Sequence, residues 1–396
     1  MIDRAYRGDL VRKLSHFPVV TILGPRQCGK TTFIRSALPE WSYVDCERPS
    51  DYEPLLADPE RRLRQLGDFT IFDEAHRVPE LFPVLRSYVD EERSRSGRIV
   101  LLGSVSPELV AGISESLAGR SAFIELTPFL LSEVVGRAED SLGRLWFRGG
   151  FPDPFLWSDD ATVIDWFDAY SRTFIERDLN ALGVSISSQR MRQLWAMLCH
   201  VSGGMWNASD IASSMGVNYQ TVNRYVEILE RAFLVRRLQP YFVNISKRIV
   251  RRPKLYVRDS GILHHFLGVR TAAQLDVHPS RGASWESFVV EQIISTVELD
   301  RPGAGFYFWR TSGGAEVDLL IEIEGTIIPF EVKVHSSPSR GLTKGLRSCM
   351  SDLHLRRGYV VYPGAESYSL GSGVDVVPVQ RLLTDAEYRD SVLGIE

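Results

Sequence analysis

Between Phe17 and Leu126 the apolar residues come in short runs, FPVVTIL, WSYVDC, FTIFDE, RIVLLGS and AFIEL, separated by stretches of helical periodicity. Strands covered on both faces read as continuous apolar runs, not as strict alternation, so five such runs alternating with helices predict a parallel sheet clad on both sides. From about Leu130 to Arg270 the period becomes helical and aromatic-rich (Trp146, Phe147, Trp166, Phe167, Tyr170, Phe174, Trp195), and a β-rich basic stretch follows. The remainder opens with an apolar helix from Trp285 to Val297 and continues in the runs FYFWR, AEVDLLIEI, TIIPFEVKV and YVVYP, which predict a small α+β domain. The pattern therefore divides the chain into three: 1–130, an α/β domain; 131–270, a helical domain; and 271–396, an α+β domain.

Composition narrows the class without naming a partner. With 396 residues, 44% of them apolar and 24% charged, the chain is of ordinary globular make-up and long enough for more than one core. Its net charge of -4 is not that of a basic nucleic-acid coat protein. Cys28, Cys46, Cys199 and Cys349 are scattered, with no CxxC pair, and read as reduced thiols instead of a disulfide framework or zinc ribbon. No run approaches the ~18 apolar residues of a membrane helix. A soluble, cytoplasmic protein without membrane contact is expected.

The first chemical signal lies at residues 24–31, GPRQCGKT, between the strand FPVVTIL and the helical TTFIRSAL. This is the G-x-x-x-x-G-K-[ST] spacing in its proper strand-to-helix setting. Glycines let backbone N–H groups converge on phosphate, and the following helix presents its positive end. Gly24, Pro25, Arg26, Gln27, Cys28, Gly29, Lys30, Thr31 and Thr32 are thus expected to cradle ATP. Lys30 would pair with the β- and γ-phosphates, and Thr31 would ligate Mg²⁺. The run FTIFDE closes on Asp73 and Glu74: Asp73 is placed to hold Mg²⁺ with Thr31, and Glu74 to polarise the attacking water. Such a pair also occurs as a plain strand-to-helix cap. Ser104, ending RIVLLGS, is either a γ-phosphate sensor or a loop hydroxyl. Arg120, ending ESLAGR, is either a surface residue or an arginine acting on a γ-phosphate, in cis or from a neighbouring subunit of a homo-oligomer.

A second signal lies in ASDIASSMGVNYQTVNRYVEILERAF. Ala212, Gly216 and Val222 supply the small, turn and β-branched residues of two closely crossing helices, a helix-turn-helix pattern with Gln220, Asn223 and Arg224 on its polar face. Between Arg231 and Arg258 follow nine basic residues and no acidic one: Arg231, Arg236, Arg237, Lys247, Arg248, Arg251, Arg252, Lys254 and Arg258. That leaves 37 basic against 50 acidic residues elsewhere. A basic β-rich stretch after a helix-turn-helix reads as a wing contacting DNA phosphates, with Lys247, Arg248, Arg251 and Arg252 as contacts. The alternative is a hairpin docked on an acidic face of the same chain.

A third signal is AEVDLLIEIEGTIIPFEVKV. With Glu324-Gly325 as a two-residue turn, Asp318 falls opposite Glu331. Alternation puts Val317, Leu319, Ile321, Ile328, Phe330 and Val332 on one face and Asp318, Glu331 and Lys333 on the other. Paired carboxylates form a hard oxygen site for a second Mg²⁺ or Mn²⁺, and Glu286 on the preceding helix is a further candidate ligand. Acid–lysine pairs on an exposed hairpin face give the same short pattern.

This D…ExK layout resembles the restriction-endonuclease-like PD-(D/E)xK superfamily. Over nearly its whole length the chain resembles a prokaryotic family that joins an N-terminal AAA-type ATPase to a C-terminal region of unknown function ending in such a domain. The resemblance rests on GPRQCGKTT, FDEAHRVPEL, LLGSVSPEL with ESLAGR, RGGFP, FIERDL, KRIVRRPKLYVRDSG, and WESFVVEQI with EVDLLI and FEVK. It implies ATP hydrolysis through Lys30, Thr31, Asp73 and Glu74, with Arg120 as candidate arginine, and a nuclease-like site at Glu286, Asp318, Glu331 and Lys333. The expected fold is a P-loop NTPase domain followed by a helical, winged-helix domain and an α+β nuclease-like domain. The expected function is a Mg²⁺-dependent ATPase whose nucleotide state controls a C-terminal region acting on DNA. The alternative is an ATP-gated switch whose inactive nuclease-like domain binds a protein partner.

Overall fold

The computed structural model describes residues 2–103, 113, 115–178, 186–241 and 250–394. Two compact units make up the chain: Met1–Phe129 with Arg231–Phe233, and Leu130–Glu230 with Leu234–Glu396.

In the first unit the five apolar runs become β1 (Val19–Leu23), β2 (Ser42–Asp45), β3 (Thr70–Asp73), β4 (Ile99–Gly103) and β5 (Ser121–Glu125). They form a parallel sheet of order β2-β3-β4-β1-β5. Burial explains the run types: β3 and β4 are buried throughout and β1 nearly so, whereas in the edge strand β5 the buried Ala122 and Ile124 flank the exposed Phe123. Phe72, Leu101, Phe82 and Leu85 belong to one core cluster, and burying each of the phenylalanines contributes roughly 1.5–3 kcal/mol. Helix α1 (Arg7–Leu14) precedes β1, and α2 (Lys30–Ala37) follows it. All connections carry the chain back to the same end, so the carboxyl ends of β1 and β3 lie together.

The second unit departs from the three-domain division expected from the pattern. Its strands are β6 (Gly204–Met205), β7 (Val235–Pro240), β8 (Lys254–Val257), β9 (Gly305–Arg310), β10 (Glu316–Ile323), β11 (Thr326–Val332), β12 (Gly358–Tyr362), β13 (Tyr368–Gly371) and β14 (Val374–Pro378). They form one sheet of order β13-β14-β12-β11-β10-β9-β7-β8-β6. The join is β7, which pairs in parallel with β9 through Gln239 and Pro240 opposite Tyr307 and Phe308. The boundary at 270/271 is therefore crossed by a sheet and does not separate compact units. The apolar helix extends over Arg281–Asp300 and is buried along most of its length.

The hairpin β10–β11 has the expected register: Leu319 faces Phe330 and Ile323 faces Thr326, with Glu324 (φ 50°) and Gly325 (φ 81°) both left-handed in the turn. One face assignment needs correction. The pairing of β10 with β9 shifts between Val317 and Leu320, and those two residues share a core cluster with Leu346 and Val360. This irregularity breaks the alternation at Asp318, so Val317 does not share a face with Leu319 and Ile321.

Candidate functional site

The phosphate loop runs from the end of β1 to Gly29, which caps α2 in the left-handed region at φ 97°. Gly24 is required by space: a Cβ there would stand 2.2 Å from the Leu126 carbonyl oxygen. Cys28 is buried and its thiol donates to that same oxygen at 3.3 Å. Beneath the loop lies Arg4, also buried, whose guanidinium donates to the carbonyls of Cys28 (3.0 Å) and Thr127 (2.6 Å). The local pattern carried no sign of Arg4, because its partners are long-range backbone carbonyls. Lys30, 7% exposed, donates from Nζ to the carbonyls of Gly24 and Pro25, each at 3.0 Å, so its ammonium already lies inside the arch.

Thr31 is the second residue of α2 and its hydroxyl donates to Asp73 Oδ2 at 2.6 Å. Asp73, 6% exposed at the end of β3, accepts a second bond from the Tyr43 hydroxyl at 2.6 Å. The β2–β3 register places Tyr43 opposite Ile71, two residues before Asp73. Burial, then the Asp73 contact, pushes the Tyr43 hydroxyl well above its usual range, so it remains a donor. Sequence reasoning missed Tyr43. A hydroxyl and a carboxylate in hydrogen-bond contact are hard oxygen donors of the kind Mg²⁺ takes, so Thr31 and Asp73 fit that ion.

Glu74 follows in the left-handed region, φ 51° and ψ 45°, a strained position for a non-glycine residue. Its N–H donates to Asp73 Oδ1 at 3.0 Å, and its carboxylate Oε2 lies 3.3 Å from His76 Nδ1. The turn thus re-aims Glu74 away from the strand direction it would otherwise follow. His76, two residues on, is the other neighbour that the motif reading passed over.

Two further candidates are not brought to this end of the sheet or cannot be placed. Arg120 sits at the amino end of β5, where its carbonyl accepts from Val19 N–H, while the loop leaves the opposite end of β1, about 13 Å of strand rise away. There it forms a two-pronged pair with Asp90, both contacts 2.7 Å. A cis role on the γ-phosphate is thereby removed. Ser104 lies outside the described residues.

In the second unit the helices Ala208–Met215 and Tyr219–Arg231 flank Gly216, left-handed at φ 65°, with Ala212 and Val222 buried. Gln220 and Arg224 are exposed, whereas Asn223 is half-buried and accepts a bond from Trp206 Nε1 at 3.1 Å. Four of the nine cations in the basic stretch are engaged by carboxylates, none of them among the four named as phosphate contacts. Arg236 and Arg258 both bind Glu291, at 2.6 and 2.9 Å; Arg237 binds Glu230 at 2.6 Å; and Lys254 is buried among carboxylates. Arg231, Arg251 and Arg252 are exposed. Lys247 and Arg248 lie outside the described residues.

The D…ExK residues do come together. Asp318 Oδ2 accepts the Val332 N–H at 2.9 Å, and Glu331 Oε1 accepts from Lys333 Nζ at 2.5 Å. Glu286 Oε1 accepts from Lys254 Nζ (2.9 Å) and the Tyr256 hydroxyl (2.8 Å), and Lys254 also reaches Asp318 Oδ1 at 3.2 Å. Burial, then the Asp318 charge, raises Glu286 to about 7 and Glu331 to about 8. Lys254, read from the sequence only as one cation of a wing, is the central residue of this cluster.

Comparison with known proteins accords with the N-terminal geometry. The family described as AAA domain matches residues 16–135, and two domains of unknown function, DUF8612 and DUF4143, match residues 139–273 and 281–382. Among solved structures, the RuvB Holliday junction branch migration motor of Thermotoga maritima is similar at 17% identity and a TM-score of 0.31, covering 60% of this chain and 90% of that one. No helix among the described residues is long and apolar enough to cross a membrane. Over 388 residues, 97% of this chain and 85% of theirs, the sequence is 42% identical to the uncharacterized proteins Mb2031c of Mycobacterium bovis and Rv2008c of Mycobacterium tuberculosis. The chain belongs to the family of these two mycobacterial proteins, and its N-terminal part is an AAA-type P-loop ATPase domain.

Proposed function

We propose that this protein is a Mg²⁺-dependent ATPase working as a nucleotide-gated switch in the cytoplasm, in which ATP binding and hydrolysis set how its Leu130–Glu396 part engages a partner protein. The reading is carried by the convergence of Lys30, Thr31 and Asp73 at the carboxyl ends of β1 and β3, with Glu74 turned out just beyond them. Lys30 exchanges the carbonyls of Gly24 and Pro25 for β- and γ-phosphate oxygens. Thr31 and Asp73 would hold Mg²⁺, which would neutralise the charge growing on the phosphates. Glu74 draws the proton from the attacking water, with His76 Nδ1 3.3 Å from its carboxylate. The test is ATP binding and turnover in two variants. Lys30→Ala should lose binding, while Glu74→Gln should bind ATP and lose turnover by about 10²-fold or more. Turnover like that of the wild type in Glu74→Gln would remove the assigned role.

A second reading, action on DNA, is favoured by the exposed Gln220, Arg224, Arg251 and Arg252. It requires that DNA raise ATP turnover and that Arg224→Ala with Arg251→Ala and Arg252→Ala lower DNA affinity; a protein switch responds to neither. Arg120 has one catalytic role left, on the nucleotide of a second copy in a homo-oligomer. In that case turnover per subunit climbs with protein concentration and Arg120→Ala abolishes the climb.

A further inference from the structure

The carboxylates Glu286, Asp318 and Glu331 beside Lys333 are the set that a nuclease-like domain would use to seat a divalent metal. The residues present do not fit that ion, because a cation is already there. Lys254, in β8 and only 1% exposed, places its ammonium 2.9 Å from Glu286 Oε1 and 3.2 Å from Asp318 Oδ1, with Glu316 as its third partner. An ammonium has three N–H donors, and here three carboxylates receive them. Several of the other acceptors are also engaged: Asp318 Oδ2 by the Val332 N–H, Glu331 Oε1 by Lys333 and Glu316 Oε2 by Arg310, and Glu286 Oε1 additionally accepts from Tyr256. Glu331 Oε2 meets no hydrogen-bond partner.

The cluster therefore carries its own cations. Lys254, Lys333 and Arg310 face Glu286, Asp318, Glu331 and Glu316. A divalent ion would have to displace a buried ammonium from three partners or crowd in beside it, cation against cation in a buried site. Among the described residues, no group of three or more His, Cys, Asp or Glu is arranged to hold a metal.

We propose that Lys254 is the built-in cation of this cluster: its ammonium stands where a nuclease-like centre would seat a divalent metal, so the carboxylates bind Lys254 and do not support metal-dependent cleavage of a phosphodiester. The inference is independent of ATP turnover in the N-terminal domain, since neither the residues nor the measurement involve nucleotide.

The experiment is Mn²⁺ titration of the full-length chain without nucleotide, followed by loss of the free-ion electron paramagnetic resonance signal. Wild type and Asp318→Asn should bind Mn²⁺ indistinguishably. Lys254→Met should gain one site at least about tenfold tighter than anything in the wild type, and adding Asp318→Asn should abolish that gain. A wild-type Mn²⁺ site that Asp318→Asn removes would overturn the proposal, as would a folded Lys254→Met that gains nothing. If circular dichroism shows Lys254→Met unfolded, the wild-type and Asp318→Asn pair still decides, together with Mn²⁺-dependent nicking of supercoiled plasmid. Nicking that Asp318→Asn abolishes overturns the proposal, and identical behaviour of the two supports it.

Discussion

Replacing Glu291 by glutamine asks whether the basic stretch between Arg231 and Arg258 is structural. Glu291 lies in the helix Arg281–Asp300, 5% exposed, and accepts Arg236 Nε on Oε1 at 2.6 Å and Arg258 Nε on Oε2 at 2.9 Å. Burial alone would push its carboxyl up, yet the two guanidiniums outweigh burial and hold it below the ordinary carboxylate range. Glutamine keeps the shape and one acceptor oxygen, but it removes the charge and turns an NH₂ group toward one of the arginines. Breaking a buried ion pair by removing one partner costs about 3–5 kcal/mol. Arg236 retains 22% side-chain exposure and Arg258 10%, which allows partial rehydration, so a loss near the lower end, about 3 kcal/mol, is expected. Urea unfolding followed by tryptophan fluorescence reads this unit selectively, because Trp41 is the one tryptophan outside it. A loss below about 1 kcal/mol, the range of surface pairs, would mean that the two arginines are not held by Glu291.

Arg4→Ala removes two charge-assisted bonds to the Cys28 and Thr127 carbonyls, each worth about 1.5–3 kcal/mol; ATP affinity measured by isothermal titration should fall by about tenfold with the far-ultraviolet spectrum unchanged, and unchanged affinity would show that the loop does not need this anchor. His264 is buried between the Phe147 carbonyl (2.8 Å) and the Ser284 hydroxyl (2.6 Å), and burial pushes it down to about 4. The unfolded chain then takes up a proton that the folded chain refuses, so this contribution is complete above about pH 6.5 and is lost as pH falls toward 4, by about 3 kcal/mol in total. Urea midpoints between pH 7 and 4.5 should slope less in His264→Gln than in wild type, and equal slopes would refute the assignment.

What was legible in the sequence was what is local. The loop GPRQCGKT needs only its own spacing and the strand and helix on either side, and the β10–β11 register follows from a two-residue turn and a period of two. The five apolar runs of the first unit announce buried parallel strands because both faces are covered. Contacts that close over long separations were not legible: Arg4 to Thr127, Tyr43 to Asp73, and the β7–β9 pairing that fuses the middle and C-terminal regions. The irregularity at Val317–Leu320 was hidden for a related reason, since alternation written along one strand says nothing of a shift in its partner.

Charge segregation shows how one number supports two opposite structures. A segment with nine cations and no acid, set in a chain otherwise rich in acids, suits an outward phosphate reader and an inward counter-ion supply equally well. Position separates them. Arg236, Arg237, Lys254 and Arg258 meet Glu291, Glu230, Glu286, Glu316 and Asp318, so these four cations are already neutralised. Arg231, Arg251 and Arg252 face outward among the described residues. The consequence is quantitative. If all nine cations met phosphates, the logarithm of DNA affinity would fall with the logarithm of salt at a slope of about -8, at roughly 0.9 per phosphate. The three exposed arginines give about -3, and Lys247 and Arg248, if they also serve, extend it to between about -4 and -5. A measured slope steeper than about -5 would therefore mean that the internal ion pairs open to bind nucleic acid. A shallower slope, or no binding, leaves the segment as the positive half of the unit's own interior.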